Sequence, residues 1–146
     1  MFFSKFLFYR KMSNLKLLNS FISDEPKGYP HCGATMIDAC HLISAGHCVR
    51  KCEEPSYVVL NGYDLKRREN EIPLKIRHIQ RHPNSANSES GLSYDVALIT
   101  LEQCFDQFPS KLGYICLPTE SSDSINEQDQ ALIIGWGFAN ETTIPR

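Results

Sequence analysis

The segment Leu42-Ile43-Ser44-Ala45-Gly46-His47-Cys48 joins an apolar run to a histidine that directly precedes a cysteine. A disulfide at the cysteine would pin the backbone there, and the imidazole would project from a strand end into a cleft. Histidine suits general-base chemistry because the unperturbed pKa of its side chain, about 6.5, lies near neutral pH. Most histidines are ordinary surface or core residues, which is the expectation for His31, His41, His78 and His82.

Outward from this segment, short apolar runs separated by turns begin at Cys32. Such runs predict strands at residues 34–37, 42–45, 57–60, 74–79, 96–101 and 131–134. Residues 96–99 lack polar alternation, so this strand is expected to be buried on both faces. The pattern predicts an all-β barrel or sandwich and gives no function.

Size and charge exclude several classes of protein. The 146 residues suit one domain, and an apolar fraction of 42% suffices for a packed core. The net charge is −2 with both signs interspersed, and the basic run Lys66-Arg67-Arg68 is expected to be a solvated loop. Neither a nucleic-acid partner nor a membrane span is therefore predicted.

The cysteine content indicates where the protein works. Five of six cysteines lie between Cys32 and Cys104, which favours an oxidising compartment and hence a secreted protein. Residues 1–9 begin like a signal peptide, but Arg10-Lys11 cut the apolar run short and no small-residue cleavage site follows. We expect an export signal to lie upstream of this start.

Other motifs follow in a fixed order around the histidine segment. They are Cys32-Gly33, residues 58–65 (VVLNGYDL), Ile79-Gln80-Arg81-His82-Pro83, residues 95–101 (DVALITL), Ile115-Cys116-Leu117-Pro118 and Gly135-Trp136-Gly137. Each is weak alone. In this order they resemble the chymotrypsin/trypsin family of serine endopeptidases, whose fold is a pair of antiparallel β-barrels facing each other across the active cleft.

The resemblance assigns catalytic roles to His47 and Asp95. The first would be the general base, and the second the buried carboxylate that holds its tautomer. Three departures surround them. Gly46 replaces the usual alanine; its N–H can still donate to Asp95, but the turn becomes looser. Ser44 replaces threonine, and Tyr94 stands where asparagine is more usual.

The resemblance also implies the cysteine pairing. Cys32 and Cys48 match the bridge beside the catalytic histidine, and Cys40 and Cys104 match an extra pair of the plasminogen-activator branch. Cys116 resembles the cysteine that tethers a light chain or propeptide. Cys52 has no counterpart in the family. Cys52 and Cys116 are therefore either free, paired with each other or bound to a missing segment.

Metal binding is a weaker interpretation of the same region. Histidines and cysteines crowd residues 31–52, yet only Cys48 and Cys52 have the spacing of a structural zinc pair. Adjacent residues on a strand point to opposite faces, so His-Cys pairs rarely serve one metal. Tyr63 stands where the family's calcium loop has its first glutamate. We predict no metal and no cofactor.

The family's Gly-Asp-Ser-Gly-Gly segment does not occur in the sequence. We therefore expect residues 29–146 to be an incomplete peptidase domain, with a first barrel at about 29–118 and the start of a second at about 130–146. Residues 1–28 show no clear period and are expected to be a poorly defined segment. The expected function is a serine endopeptidase acting on proteins or peptides, with this chain inactive alone. The alternative is a non-catalytic homologue that binds or regulates. Asn140-Glu141-Thr142 matches a glycosylation acceptor if the chain is exported.

Overall fold

The computed structural model describes residues 6–9, 20–49, 57–62, 64–86, 93–107, 113–115, 117 and 131–134. Eight strands lie in this part of the chain: β1 (Phe6–Tyr9), β2 (Ser20–Ser23), β3 (Cys32–Met36), β4 (His41–Ser44), β5 (Tyr57–Leu60), β6 (Ile72–Arg81), β7 (Ala97–Leu101) and β8 (Ala131–Ile134). Two 3₁₀ helices, Gly46–Val49 and Pro83–Ala86, accompany them, and the described residues include no α-helix. The all-β prediction is confirmed.

Six strands close into an antiparallel barrel in the order β2-β3-β4-β7-β6-β5. Because the barrel is closed, each of its six strands pairs with a neighbour on both sides. The interior is filled by side chains from alternate positions of each strand. They include Ile22, Ala34, Met36, Leu42, Val58, Leu60, Ala97, Ile99 and Leu101, each at most 4% exposed.

Strand β7 differs from its prediction. Ala97, Ile99 and Leu101 are buried, whereas Leu98 and Thr100 are only half-buried and Val96 is exposed. A barrel wall has one interior and one exterior face, so a continuous apolar run in such a strand need not be covered on both sides.

The barrel begins earlier than the boundary expected at residue 29. Strand β2 pairs with both β3 and β5, and all four of its residues are buried. Ser-Phe-Ile-Ser has no alternating pattern, which hid it from sequence analysis. Phe21 and Ile22 point to opposite faces of the sheet, and both are nonetheless inaccessible to water.

The outer face of β2 is covered by the loop that precedes β6. A Cβ atom added to Gly62 would lie 2.5 Å from the Phe21 ring, and the Arg68 guanidinium lies 5.9 Å from the centre of that ring. Arg68 donates to both carboxylate oxygens of Glu71 at 2.9 and 2.8 Å, and to the carbonyls of Lys27 and Gly28 at 2.6 and 2.9 Å. The prediction of a solvated basic loop was therefore wrong for Arg68, whose fork of donors ties two loops together.

Asp38 organises the turn between β3 and β4. Its carboxylate accepts the N–H groups of Cys40 and His41 at 2.7 and 2.8 Å, and the His41 ring lies 2.9 Å from both oxygens. Burial acts to raise the pKa of Asp38, but the hydrogen bonds from Cys40 and His41 outweigh it, so the pKa lies below 3.8.

The strand predicted at residues 131–134 is present as β8. It pairs antiparallel with β1, with Phe6 opposite Ile134 and Tyr9 opposite Ala131. The second barrel that this strand was expected to begin stays a prediction, because residues 135–146 lie outside the described part of the chain.

Candidate active site

The backbone around His47 is fixed from both sides. Strand β4 ends at Ser44, and the chain turns at once into the 3₁₀ helix Gly46–Val49, in which the Cys48 N–H donates to the Ala45 carbonyl at 3.1 Å. A disulfide joins Cys48 to Cys32 on β3, with Cα atoms 5.9 Å apart. This is the pair that the resemblance implies.

Asp95 reaches the same place through strand pairing. Strands β4 and β7 lie side by side, with Ser44 opposite Ala97 and His41 opposite Thr100. Asp95 comes two residues before β7 begins, and His47 comes three residues after β4 ends. Antiparallel pairing therefore brings residues that are 48 positions apart in sequence to one rim of the barrel.

One carboxylate binds His47 twice. The Nδ1 atom of His47 lies 2.6 Å from Oδ2 of Asp95, and the backbone N–H of His47 donates to Oδ1 at 2.7 Å. An ionised carboxylate only accepts hydrogen bonds, so Nδ1 carries the proton and the lone pair is on Nε2. The imidazole is thus held in the tautomer that can take a proton at Nε2.

Exposure differs between the two partners. The Asp95 side chain is 17% exposed and that of His47 is 38% exposed. The carboxylate is shielded, although less completely than the family pattern implies, and the ring is accessible from solvent. The Nε2 atom lies 3.5 Å from Sγ of Cys48, so the ring edge rests against the disulfide.

Gly46 is packed against Asp95. A Cβ atom at this position would lie 3.1 Å from Oδ1 of Asp95 and 3.4 Å from the backbone N and O of Val96. The expected backbone donor to Asp95 was the Gly46 N–H, whereas the structure records the N–H of the next residue, His47. Glycine, where the family usually has alanine, thus avoids a close contact of a methyl group with the Asp95 carboxylate.

Two residues beside Asp95 were not assigned a role from the sequence. Tyr94 has a φ of 56°, and its ring stacks on His82 with centroids 4.7 Å apart. His82 was expected to be an ordinary histidine like His31, which pairs with Asp24 at the surface. It lies in the Ile79-Gln80-Arg81-His82-Pro83 motif of the resemblance, but that motif did not predict a contact with Tyr94.

A second disulfide joins Cys40 to Cys104, with Cα atoms 4.6 Å apart, and ties the β3–β4 turn to the segment after β7. The ligand atoms of Cys32, His47 and Cys48 lie within 4.8 Å of one another. Two of them are the bonded sulfurs of a disulfide and therefore lack the thiolate that binds metals. Cys52, Tyr63, Cys116 and Asn140 lie outside the described residues.

Comparisons with known proteins agree with this geometry. The chain is 31% identical over 107 residues to glucanase inhibitor protein 3 of Phytophthora infestans, covering 73% of this chain and 39% of that protein. It is 32% identical over 117 residues to vitamin K-dependent protein C of Oryctolagus cuniculus, covering 73% and 23%. It is 33% identical over 113 residues to transmembrane protease serine 11B of Homo sapiens, covering 76% and 26%.

The chain thus spans less than half the length of each of these relatives. Among the residues that the structure describes, no helix has the length and apolar character needed to cross a lipid bilayer. The family model described as Trypsin matches residues 18–145, a range that contains the whole barrel and both partners of the hydrogen-bonded pair. The chain belongs to the trypsin family.

Proposed function

We propose that this chain carries the general-base half of a serine endopeptidase site. The observation that supports it is the 2.6 Å contact between Nδ1 of His47 and Oδ2 of Asp95. In such a site Nε2 of the histidine removes the hydroxyl proton of a serine as its oxygen attacks the peptide carbonyl. The same nitrogen then donates that proton to the departing amine.

Asp95 supports both steps without exchanging a proton itself. While Nε2 is being protonated, the ring becomes an imidazolium, and a carboxylate at 2.6 Å stabilises the new positive charge. The second bond, from the His47 N–H to Oδ1, keeps the carboxylate from rotating away. Positioning of this kind matters because catalytic groups must be held close to their productive geometry before the reaction begins.

The 146 residues contain no Gly-Asp-Ser-Gly-Gly segment, and we infer from this that none of their serines is the nucleophile. Loss of the serine from a triad lowers turnover by roughly 10⁶-fold, or about 8 kcal/mol of transition-state stabilisation. We therefore propose that the chain alone does not hydrolyse peptides, and that a complete site requires a serine supplied by further sequence.

The test begins with the full transcript. Where it continues into Gly-Asp-Ser-Gly-Gly, the longer protein is expected to react with a fluorophosphonate probe and to cleave peptide esters. The 146-residue chain serves as the unlabelled control. His47→Ala should abolish both signals, and Asp95→Asn should lower kcat by about 10⁴-fold. Turnover by the purified 146-residue chain that is lost in His47→Ala would contradict the proposal.

A non-catalytic protein is the second candidate. The similarity to glucanase inhibitor protein 3, whose name describes inhibition of another protein, favours it. The hydrogen-bonded His47–Asp95 pair favours the enzyme, because a binding module does not require it. A transcript that ends in frame, or that encodes glycine at the serine position, would support the non-catalytic candidate.

Export and covalent assembly belong to the same proposal. Disulfides persist in oxidising compartments, and the two disulfides of the described barrel favour an extracellular protein. A light chain or propeptide bound through Cys116 would be detected as a larger species on non-reducing gels. That species should collapse on reduction and be missing in Cys116→Ser.

A further inference from the structure

The backbone at Tyr94 adopts an unusual conformation next to the site. Its φ of 56° lies in the left-handed region, where a bulky aromatic residue is a genuine outlier. Among the described residues the other non-glycine case is Asn61, with φ 59°, and asparagine tolerates this region well. Strained residues of this kind persist only where the surroundings enforce them, and they cluster at functional sites.

Three contacts connect the residues on either side of Asp95 to each other and to His82. The Val96 N–H donates to the Tyr94 carbonyl at 2.8 Å, closing a three-residue turn centred on Asp95. The His82 N–H donates to the Val96 carbonyl at 3.0 Å. The ring of Tyr94 stacks on the ring of His82, with 4.7 Å between centroids and 14° between planes. The contacts thus run from Tyr94 to Val96, then to His82, and back to Tyr94.

His82 is itself anchored at two further points. Its carbonyl accepts the Ser85 N–H at 3.0 Å, and its Nδ1 atom accepts the Asn84 N–H at 3.2 Å. The second bond fixes the plane of the imidazole against which Tyr94 lies. The ring therefore offers a fixed surface that holds Tyr94 in place, although the Tyr94 side chain is otherwise largely exposed.

We propose that Tyr94 and His82 are positioning residues for Asp95, acting together to aim its carboxylate at His47. The inference rests on the proposed function, since it explains how the orienting carboxylate is held. Neither side chain touches a reacting atom in this account. Their effect passes through the backbone of residues 94–96, where the left-handed conformation of Tyr94 and the turn that follows it set the direction in which the Asp95 side chain leaves the chain.

The experiment follows the His47 Nδ1 proton in the ¹⁵N-labelled full 146-residue chain by its exchange with water. In the parent chain the bond to Asp95 should protect this proton, and Asp95→Asn should remove the protection. Tyr94→Ala and His82→Ala each remove the ring contact. An aromatic pair of this kind corresponds to about a threefold to tenfold change in an equilibrium constant, and exchange should accelerate accordingly.

Three further variants separate positioning from general loss of stability. Tyr94→Phe keeps the stacking and should exchange like the parent. The double variant Tyr94→Ala/His82→Ala should exchange no faster than the faster single variant, because both changes remove the same contact. Asn61→Ala serves as the matched control. It places alanine in the same left-handed backbone conformation directly after strand β5 and also removes the bond from Asn61 Nδ2 to the Asn70 carbonyl. It should lower the urea midpoint without accelerating exchange of the His47 proton.

The experiment distinguishes failure of the positioning role from failure of the proposed function. Unchanged exchange in Tyr94→Ala and His82→Ala, with Asp95→Asn still unprotected, would overturn the positioning role and leave the proposed function intact. An unprotected Nδ1 proton in the parent would show instead that His47 and Asp95 do not pair, which removes the basis of the proposed function.

Discussion

Replacement of Arg68 by methionine should destabilise the barrel strongly. The guanidinium holds Glu71 through two hydrogen bonds and the carbonyls of Lys27 and Gly28 through two more. The Glu71 side chain is 3% exposed, and that of Arg68 is 25% exposed. Methionine keeps an unbranched apolar side chain at this position but removes every donor, together with the guanidinium that lies 5.9 Å from the centre of the Phe21 ring.

The expected loss in the free energy of unfolding follows from the Glu71 carboxylate, which stays buried without its partner. Removing one partner of a buried ion pair costs roughly 3–5 kcal/mol because the other charge stays buried. Arg68 is a quarter exposed, so water can reach part of the site, and the lower end of that range applies, about 3 kcal/mol. The free energy of unfolding of a small domain is only about 5–15 kcal/mol, so the loss should be large in urea denaturation under non-reducing conditions.

Two variants make the reasoning testable. Lys66→Met removes an exposed charge from the same basic run and should change stability by at most about 0.5 kcal/mol. Adding Glu71→Gln to Arg68→Met removes the stranded charge and should restore about 1 kcal/mol or more. The reasoning is refuted if Arg68→Met costs no more than Lys66→Met, or if the double variant is less stable than the single one.

Three other predictions concern the barrel. The lowered pKa of Asp38 means that its carboxylate stabilises the fold above pH 3.8 and that this contribution disappears as pH falls through the lower folded value. Asp38→Ala, a change at a half-exposed side chain, should therefore cost less than about 1 kcal/mol at pH 7 and less still in stronger acid, by urea titration at each pH. Replacing both Cys40 and Cys104 by serine opens a loop of 64 positions and should cost about 4 kcal/mol in thermal denaturation; an unchanged midpoint would contradict this. Gly62→Ala places a methyl group 2.5 Å from the Phe21 ring and should cost about 1–3 kcal/mol, whereas a neutral result would show that the ring moves freely.

The barrel strands that contain a longer run of mostly apolar residues were predictable from sequence, whereas β2, with only two apolar residues between serines, was not. Strand β5 was predicted at its observed bounds, Tyr57–Leu60. Strand β2 was missed because Phe21 and Ile22 stand between two serines, and its burial comes from pairing with β3 and from the loop that covers it. Burial of this kind is a property of the tertiary structure.

Some features of the candidate site were likewise predictable from sequence and others were not. His47 and Asp95 stood out because fixed residue types flank them in order, and the contact between them followed from strand pairing. The conformation of Tyr94 and its stacking on His82 depend on a turn whose shape no residue type announces. Arg68 was assigned to solvent because the two residues before it are also basic, although its nearly buried partner Glu71 is only three residues away.

The most direct test of the central claim is the ¹H–¹⁵N spectrum of the His47 ring in the 146-residue chain, recorded at neutral pH. The 2.6 Å contact predicts that Nδ1 is protonated, with a strongly downfield proton that disappears in Asp95→Asn. The same proton should persist in Asp38→Asn, which alters the separate pair formed with His41. A His47 ring protonated at Nε2 alone, or a spectrum unchanged by Asp95→Asn, would contradict the account.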